Sequence, residues 1–344
     1  CCCPQLLSLG SIYVGSRYNV LADNSGSTNQ SSQMGDLHFG EVGVDEFLQE
    51  YWQQKPLLIR QALPGYISPI SPDELAGLAL EEEVESRLVE GGSNNWSLRH
   101  GPLTEQDFLD LPEQDWTLLV QAVDLWVPQM QQLLERFGFL PPWRLDDVMV
   151  SFACPGGSVG PHFDQYDVFL LQVEGTRRWQ IGGHCDGNTP LQADCPMRVL
   201  ESFSSQQEWL LEPGDMLYLP PGIAHWGVAE SECLTYSIGF RSPSIADLLG
   251  DLAVELMAQG YDAHYRDPAM SKALAGPDIA QAFVAQAKQQ LWQAIDNDDL
   301  IGDWFARFMT APKYPELAEM TQEERRANWR NRRYCNGDVE GDTG

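Results

Sequence analysis

Residues 160–164 read Gly-Pro-His-Phe-Asp, and residues 214–225 read Gly-Asp-Met-Leu-Tyr-Leu-Pro-Pro-Gly-Ile-Ala-His. His162 and Asp164 are two apart, so on a strand the period-2 alternation turns both side chains to one face. His225 follows a Pro-Pro-Gly turn that delivers it to the start of another strand. Two imidazoles and one carboxylate converging from two strands form a 2-His-1-carboxylate facial triad, the donor set that leaves three positions open on non-haem Fe(II).

Around these segments the chain is a series of short β-rich runs, at 148–153, 168–173, 178–181, 209–211, 216–219 and 234–240. They are separated by Pro155-Gly156-Gly157, Glu174-Gly175, Gly182-Gly183, Glu212-Pro213-Gly214-Asp215 and Pro220-Pro221-Gly222. Many short strands with turn signals at this spacing predict a sandwich or barrel.

Upstream, Asp45 is expected to cap a helix over 45–54 with Phe47, Leu48, Tyr51 and Trp52 at helical spacing; Lys55-Pro56 stops it, and 57–60 reads as a strand. A second helix starts at Ser71-Pro72-Asp73-Glu74 and carries Leu75, Leu78 and Leu88, and a third runs from Val127-Pro128 to Phe137. The first 145 or so residues are therefore expected to be mostly helical. After Pro243, the runs 245–259, 278–295 and 301–309 are again helical and amphipathic.

Composition narrows the function classes. A chain of 344 residues with 43% apolar residues has enough for two domains and a packed core. It lacks the 18 uninterrupted apolar residues of a membrane helix. A net charge of −29 argues against direct nucleic-acid binding, which needs clustered Lys and Arg, and favours a basic partner. The eight cysteines show no repeated spacing, as expected for reduced thiols, and His184, Cys185 and Cys195 lack the paired Cys-x-x-Cys of a zinc site. Residues 1–33 read as a disordered or non-native leader without a secretory signal, with Met34 as the start and the cytoplasm as the default location.

The 214–225 segment matches the second cupin motif, and Gly156 six residues before His162 matches the first, with Asp164 in place of its usual second His. The chain thus resembles JmjC-type cupins, and more narrowly the bacterial ribosomal oxygenases that hydroxylate an arginine of a large-subunit ribosomal protein. The resemblance runs from about Phe47 to Met309. It is carried by the stretch Pro161 to Phe169, Arg177-Arg178-Trp179, Leu217 to Gly222, Tyr236 to Arg241, Trp52-Gln53-Gln54-Lys55-Pro56-Leu57 and Ser71 to Ala79.

The resemblance implies a mainly β fold with flanking α, a double-stranded β-helix (cupin/jelly-roll, JmjC) barrel followed by a helical region. It implies Fe(II) held by His162, Asp164 and His225, with 2-oxoglutarate and O2 taking the open sites. Arg177 fills the family position for the distal carboxylate of 2-oxoglutarate; it shares a strand face with Trp179, while the adjacent Arg178 points the other way. Hydroxyls of Ser151, Thr235 and Ser237 are placed to assist the cosubstrate. Gln165, Tyr166 and Asp167 follow the triad pair and either hold a guanidinium substrate or are barrel-surface residues with no ligand.

In this family a helical dimerisation region follows the barrel, giving expected boundaries of 1–33 leader, 34–242 oxygenase domain, 243–310 helical dimerisation region and 311–344 tail. That tail is too short for the family's complete winged helix, and Arg325, Arg326, Arg330, Arg332 and Arg333 in it read as a solvated helix face. The expected partners are a basic ribosomal protein and a second copy of the chain, without membrane or nucleic acid. The rival readings are a non-enzymatic cupin scaffold and a different protein- or small-molecule-directed oxygenase.

Overall fold

The run Val-Phe-Leu-Leu-Gln-Val at 168–173 is apolar on both faces, as a strand can be only where both sides of its sheet are covered. The structure, a computed structural model, describes residues 37–92, 95–321 and 323–340; the leader expected at 1–33 lies outside the described residues. The chain divides after Ser242 into two compact units.

The strands of the first unit are β1 (Leu57–Ile59), β2 (Ser86–Gly92), β3 (Asn95–His100), β4 (Trp116–Val120), β5 (Leu145–Ala153), β6 (Val168–Glu174), β7 (Arg177–His184), β8 (Gln207–Leu211), β9 (Met216–Leu219), β10 (Ile223–Ala229) and β11 (Cys233–Phe240). They form an antiparallel eight-stranded sheet, β1-β9-β6-β11-β5-β4-β2-β3, and a three-stranded sheet, β10-β7-β8. Alternation along β6 explains its double burial. Val168 and Leu170 meet Leu217, Leu219, Trp179, Ile181 and Leu211 between the sheets. Phe169, Leu171 and Val173 face the opposite layer with Phe47, Phe137 and Phe240. Two facing antiparallel sheets of this order make the double-stranded β-helix.

The outer layer contains α1 (Val44–Glu50), α2 (Pro72–Leu78), α3 (Glu105–Leu109) and α4 (Gln131–Leu134), the last flanked by 3-10 turns. Ser71 caps α2 in a reciprocal pair with Glu74. Asp45 does not cap α1: Gly43 holds that position and Asp45 sits in the first turn, where a carboxylate still favours the helix dipole. Leu88 is not on α2 but in β2.

The expectation of a mostly helical first 145 residues is also corrected, since β2, β3 and β4 extend the large sheet. Ser-Arg-Leu-Val-Glu-Gly-Gly and Asn-Trp-Ser-Leu-Arg-His carry few β-formers. Their ladder to β4 and β5 supplies the strand character that propensity does not.

The second unit holds α5 (Ile245–Ala258), α6 (Gln281–Ile295), α7 (Asp298–Thr310), the short α8 (Ala318–Thr321) and a sheet of β12 (Arg326–Trp329), β13 (Arg332–Cys335) and β14 (Asp338–Val339). Ser244 and Asp247 cap α5 reciprocally, and Trp304 Nε1 of α7 donates to Asp251 of α5 at 2.7 Å. The arginine run is therefore no helix face. It lies on and beside a hairpin, where Arg330 and Arg332 pair with Asp299 and Asp303 of α7. Trp329 rests on Gly302, where a Cβ would collide with the indole.

Candidate active site

His162 and Asp164 do not share a regular strand; the chain there touches the small sheet at one point. His162 N–H donates to the His225 carbonyl at 3.0 Å, and His225 N–H returns the bond at 2.8 Å. Just beyond, Gly222 N–H donates to the Asp164 carbonyl at 2.7 Å. These few bonds put the imidazole centroids 4.2 Å apart, with Nε2 of His162 4.0 Å and Nε2 of His225 3.6 Å from Asp164 Oδ2.

The donor atoms of the three residues all lie within 4.8 Å of one another, the one such cluster among the described residues. Each imidazole has Nδ1 against a carbonyl, Gly160 at 3.0 Å for His162 and Ile223 at 2.9 Å for His225. With Nδ1 as the donor, the Nε2 lone pairs face Asp164, the orientation a metal needs. Burial, reinforced by the His162 charge, pulls the His225 pKa down to about 4, so this imidazole is neutral and able to ligate at neutral pH.

Four residues along β7 from Ile181, which pairs with His225, Arg177 is 3% exposed inside the barrel. Its Nη1 approaches Ser151 Oγ and its Nη2 the Gly227 carbonyl, each at 3.4 Å, while Nε has no acceptor among the described residues. The guanidinium lies 5.2 Å from the centre of the Trp179 ring. Burial pushes its pKa down, the signature of a cation that lacks a carboxylate. Arg178 faces outward between Glu208 at 2.7 Å and Glu230 at 2.6 Å.

Ser151, Thr235 and Gln172 face one another across β5, β11 and β6. Thr235 donates its hydroxyl to Gln172 Oε1 at 3.1 Å, and Gln172 Nε2 is fixed by the Glu174 carbonyl at 2.8 Å. Ser237, next on that face of β11, is partly exposed and opposite Met149 and Leu170.

Gln165 is exposed. Tyr166 is 42% exposed overall, yet its hydroxyl meets Asp164, and burial with the charges of Asp164 and Asp147 raises its pKa. Asp167 is corrected as a substrate contact. It is fully buried, and its carboxylate is taken by Tyr218 Oη at 2.6 Å, Gln53 Nε2 at 2.9 Å and Arg144 Nη2 at 3.3 Å.

Asp147 and Gln172 were not singled out from the sequence. β5 begins at Leu145 instead of 148, so Asp147 joins Met149 and Ser151 on the inward face, its Oδ2 accepting from Gln121 Nε2 at 2.7 Å. Gln172 is signalled only by being the one polar residue in an apolar run.

A JmjC-domain model matches residues 132–248. Over 276 residues the chain is 38% identical to the ribosomal protein uL16 3-hydroxylase of Escherichia coli K12, covering 78% of this chain and 72% of that protein. It is 44% identical over 209 residues to a probable ribosomal oxygenase of Haemophilus influenzae, covering 60% of this chain and about half, 52%, of that protein. The X-ray structure of E. coli ycfD superposes with a TM-score of 0.78 at 31% identity, over 90% of this chain and 88% of that one. The structure of E. coli YcfD, described as a ribosomal oxygenase in complex with cobalt and 2-oxoglutarate, superposes with a TM-score of 0.75 at 33% identity, over 88% and 86%.

Proposed function

The chain belongs to the JmjC ribosomal oxygenases, and we propose that it hydroxylates an arginine side chain of a basic large-subunit ribosomal protein with Fe(II), 2-oxoglutarate and O2. Its coarser activity, a 2-oxoglutarate-dependent oxygenase acting on a ribosomal protein, is the family's. His162, Asp164 and His225 fit the metal as two imidazoles and one carboxylate whose donor atoms lie within 4.8 Å of one another. When bound, Fe(II) supplies the redox chemistry that puts one atom of O2 into a substrate C–H bond and the other into succinate as 2-oxoglutarate loses CO2.

The observation that carries the reading is Arg177. A buried guanidinium without an acid is costly, and a ligand carboxylate arriving from the metal side removes that cost. Ser151 Oγ accepts from Arg177 Nη1 and donates its own proton to the Thr235 carbonyl at 3.3 Å, which holds the guanidinium in place beneath the pocket. Neither a scaffold nor a metal-only cupin has a use for this cation.

Tyr166, 42% exposed with its hydroxyl held by Asp164, offers an aromatic face to the substrate guanidinium. The net charge of −29 suits a basic partner. Homodimerisation through the second unit is supported by apolar side chains left exposed on α5 and α6, including Leu249 at 58% and Leu291 at 70%.

The test is incubation with Fe(II), 2-oxoglutarate and the proteins of the large ribosomal subunit. One oxygen atom added to one arginine, with succinate formed in equal amount and only when both additions are present, is the expected result. Succinate release with no modified ribosomal protein overturns the substrate; no cosubstrate turnover overturns the reading.

A further inference from the structure

We propose that the indole N–H of Trp179 is a second donor to bound 2-oxoglutarate, holding an oxygen of the dicarboxylate between Arg177 and the metal; this rests on the function proposed above. Trp179 lies midway along β7 between Arg177 and Ile181, the residue opposite His225, and its side chain shares the inward face with both. The residue is 5% exposed, and Nε1 is buried with no acceptor among the described residues.

Elsewhere in the same unit the buried Trp116 donates Nε1 to the Pro112 carbonyl and the half-buried Trp226 donates Nε1 to Ser158 Oγ, each at 2.9 Å. Trp96 and Trp329, whose Nε1 atoms are also unpaired, are only partly buried residues. An N–H left unmade inside a barrel is destabilising unless a ligand completes it.

The ring's packing fixes its orientation. A Cβ at Gly227 would sit 2.7 Å from both Cη2 and Cζ3, so the six-membered edge of the indole rests on β10 and the edge bearing Nε1 is turned away from that strand. The ring centre is 5.9 Å from the centre of the His225 imidazole and 5.2 Å from the Arg177 guanidinium carbon. The acceptors that Arg177 reaches are Ser151 Oγ for its Nη1 and the Gly227 carbonyl for its Nη2, and neither takes the Trp179 N–H. A ligand with oxygens at both ends, lying from Arg177 to the metal, runs past Trp179. A neutral donor there adds directional selection to the charge recognition supplied by Arg177.

The experiment uses the full chain loaded with Zn(II), its tryptophans 15N-labelled at the indole, and titrated with 2-oxoglutarate. The indole signal absent from a Trp179→Phe variant is expected to move downfield on saturation, as an N–H does when it gains an oxyanion acceptor. Phe keeps an aromatic ring beneath Arg177 but removes the N–H donor together with part of the ring, so affinity for 2-oxoglutarate should fall about 10-fold or more, and the indole shift in the unsubstituted protein separates the donor from the packing.

If that variant does not fold, the shift in the unsubstituted protein, with the signal identified by residue-specific labelling, still decides the matter. A Trp179 signal that stays in place while 2-oxoglutarate binds overturns the proposal and leaves the oxygenase reading intact. A Zn(II)-loaded protein that binds no 2-oxoglutarate overturns both.

Discussion

His162 and His225 exchange both of their backbone hydrogen bonds, at 3.0 and 2.8 Å, in an isolated bridge between the two segments. The placement of these candidate metal donors is thus set by main-chain bonds, with the side chains carried along. His225→Ala should leave this pairing in place while removing one of three donors. Calorimetric titration with Co(II) should show affinity lower by about 100-fold or more, since even loss of an outer-shell partner costs 10- to 100-fold. Unchanged Co(II) affinity would remove His225 from the donor set.

The two adjacent arginines of β7 should separate cleanly. Arg177→Ala is expected to weaken 2-oxoglutarate binding by about 10- to 100-fold, the worth of a charge-assisted hydrogen bond in a buried site. Arg178→Ala, losing only surface pairs to Glu208 and Glu230, should change it by about 2-fold or less. Equal effects would contradict the role assigned to Arg177.

Gly227 tests the packing beneath that arginine. In Gly227→Ala the new Cβ meets Trp179 at 2.7 Å and Arg177 Nε at 2.8 Å, so both side chains must shift. Thermal or denaturant unfolding should show a loss of about 1–3 kcal/mol, the usual cost of overpacking, together with weaker 2-oxoglutarate binding. Wild-type stability would mean that the pocket is looser than these distances state.

The exposed apolar faces of α5 and α6 give the assembly prediction. The unsubstituted chain should sediment as a dimer, and Leu249→Asp combined with Leu291→Asp should sediment as a monomer with the metal site intact. A concentration-independent monomer before substitution would rule out the homodimer.

The sequence by itself determined the barrel and the three side chains, His162, Asp164 and His225, that the fold brings together. Turn residues bounded most of its strands, Pro220-Pro221-Gly222 marked the turn into β10, and period-2 alternation separated Arg177 from Arg178, all of which are local properties of the chain. Only the tertiary structure decided the rest. The strands β2, β3 and β4 exist because the large sheet pairs with them, against weak local preference. Asp167 looked like a neighbour of the metal, yet it is closed off by Gln53, Arg144 and Tyr218, contacts up to 114 residues away that no local pattern encodes. Gln172 and Trp179 acquire meaning in the same way: a polar atom's worth depends on which partners the fold brings to it, and that is fixed by three-dimensional neighbours and not by spacing along the chain.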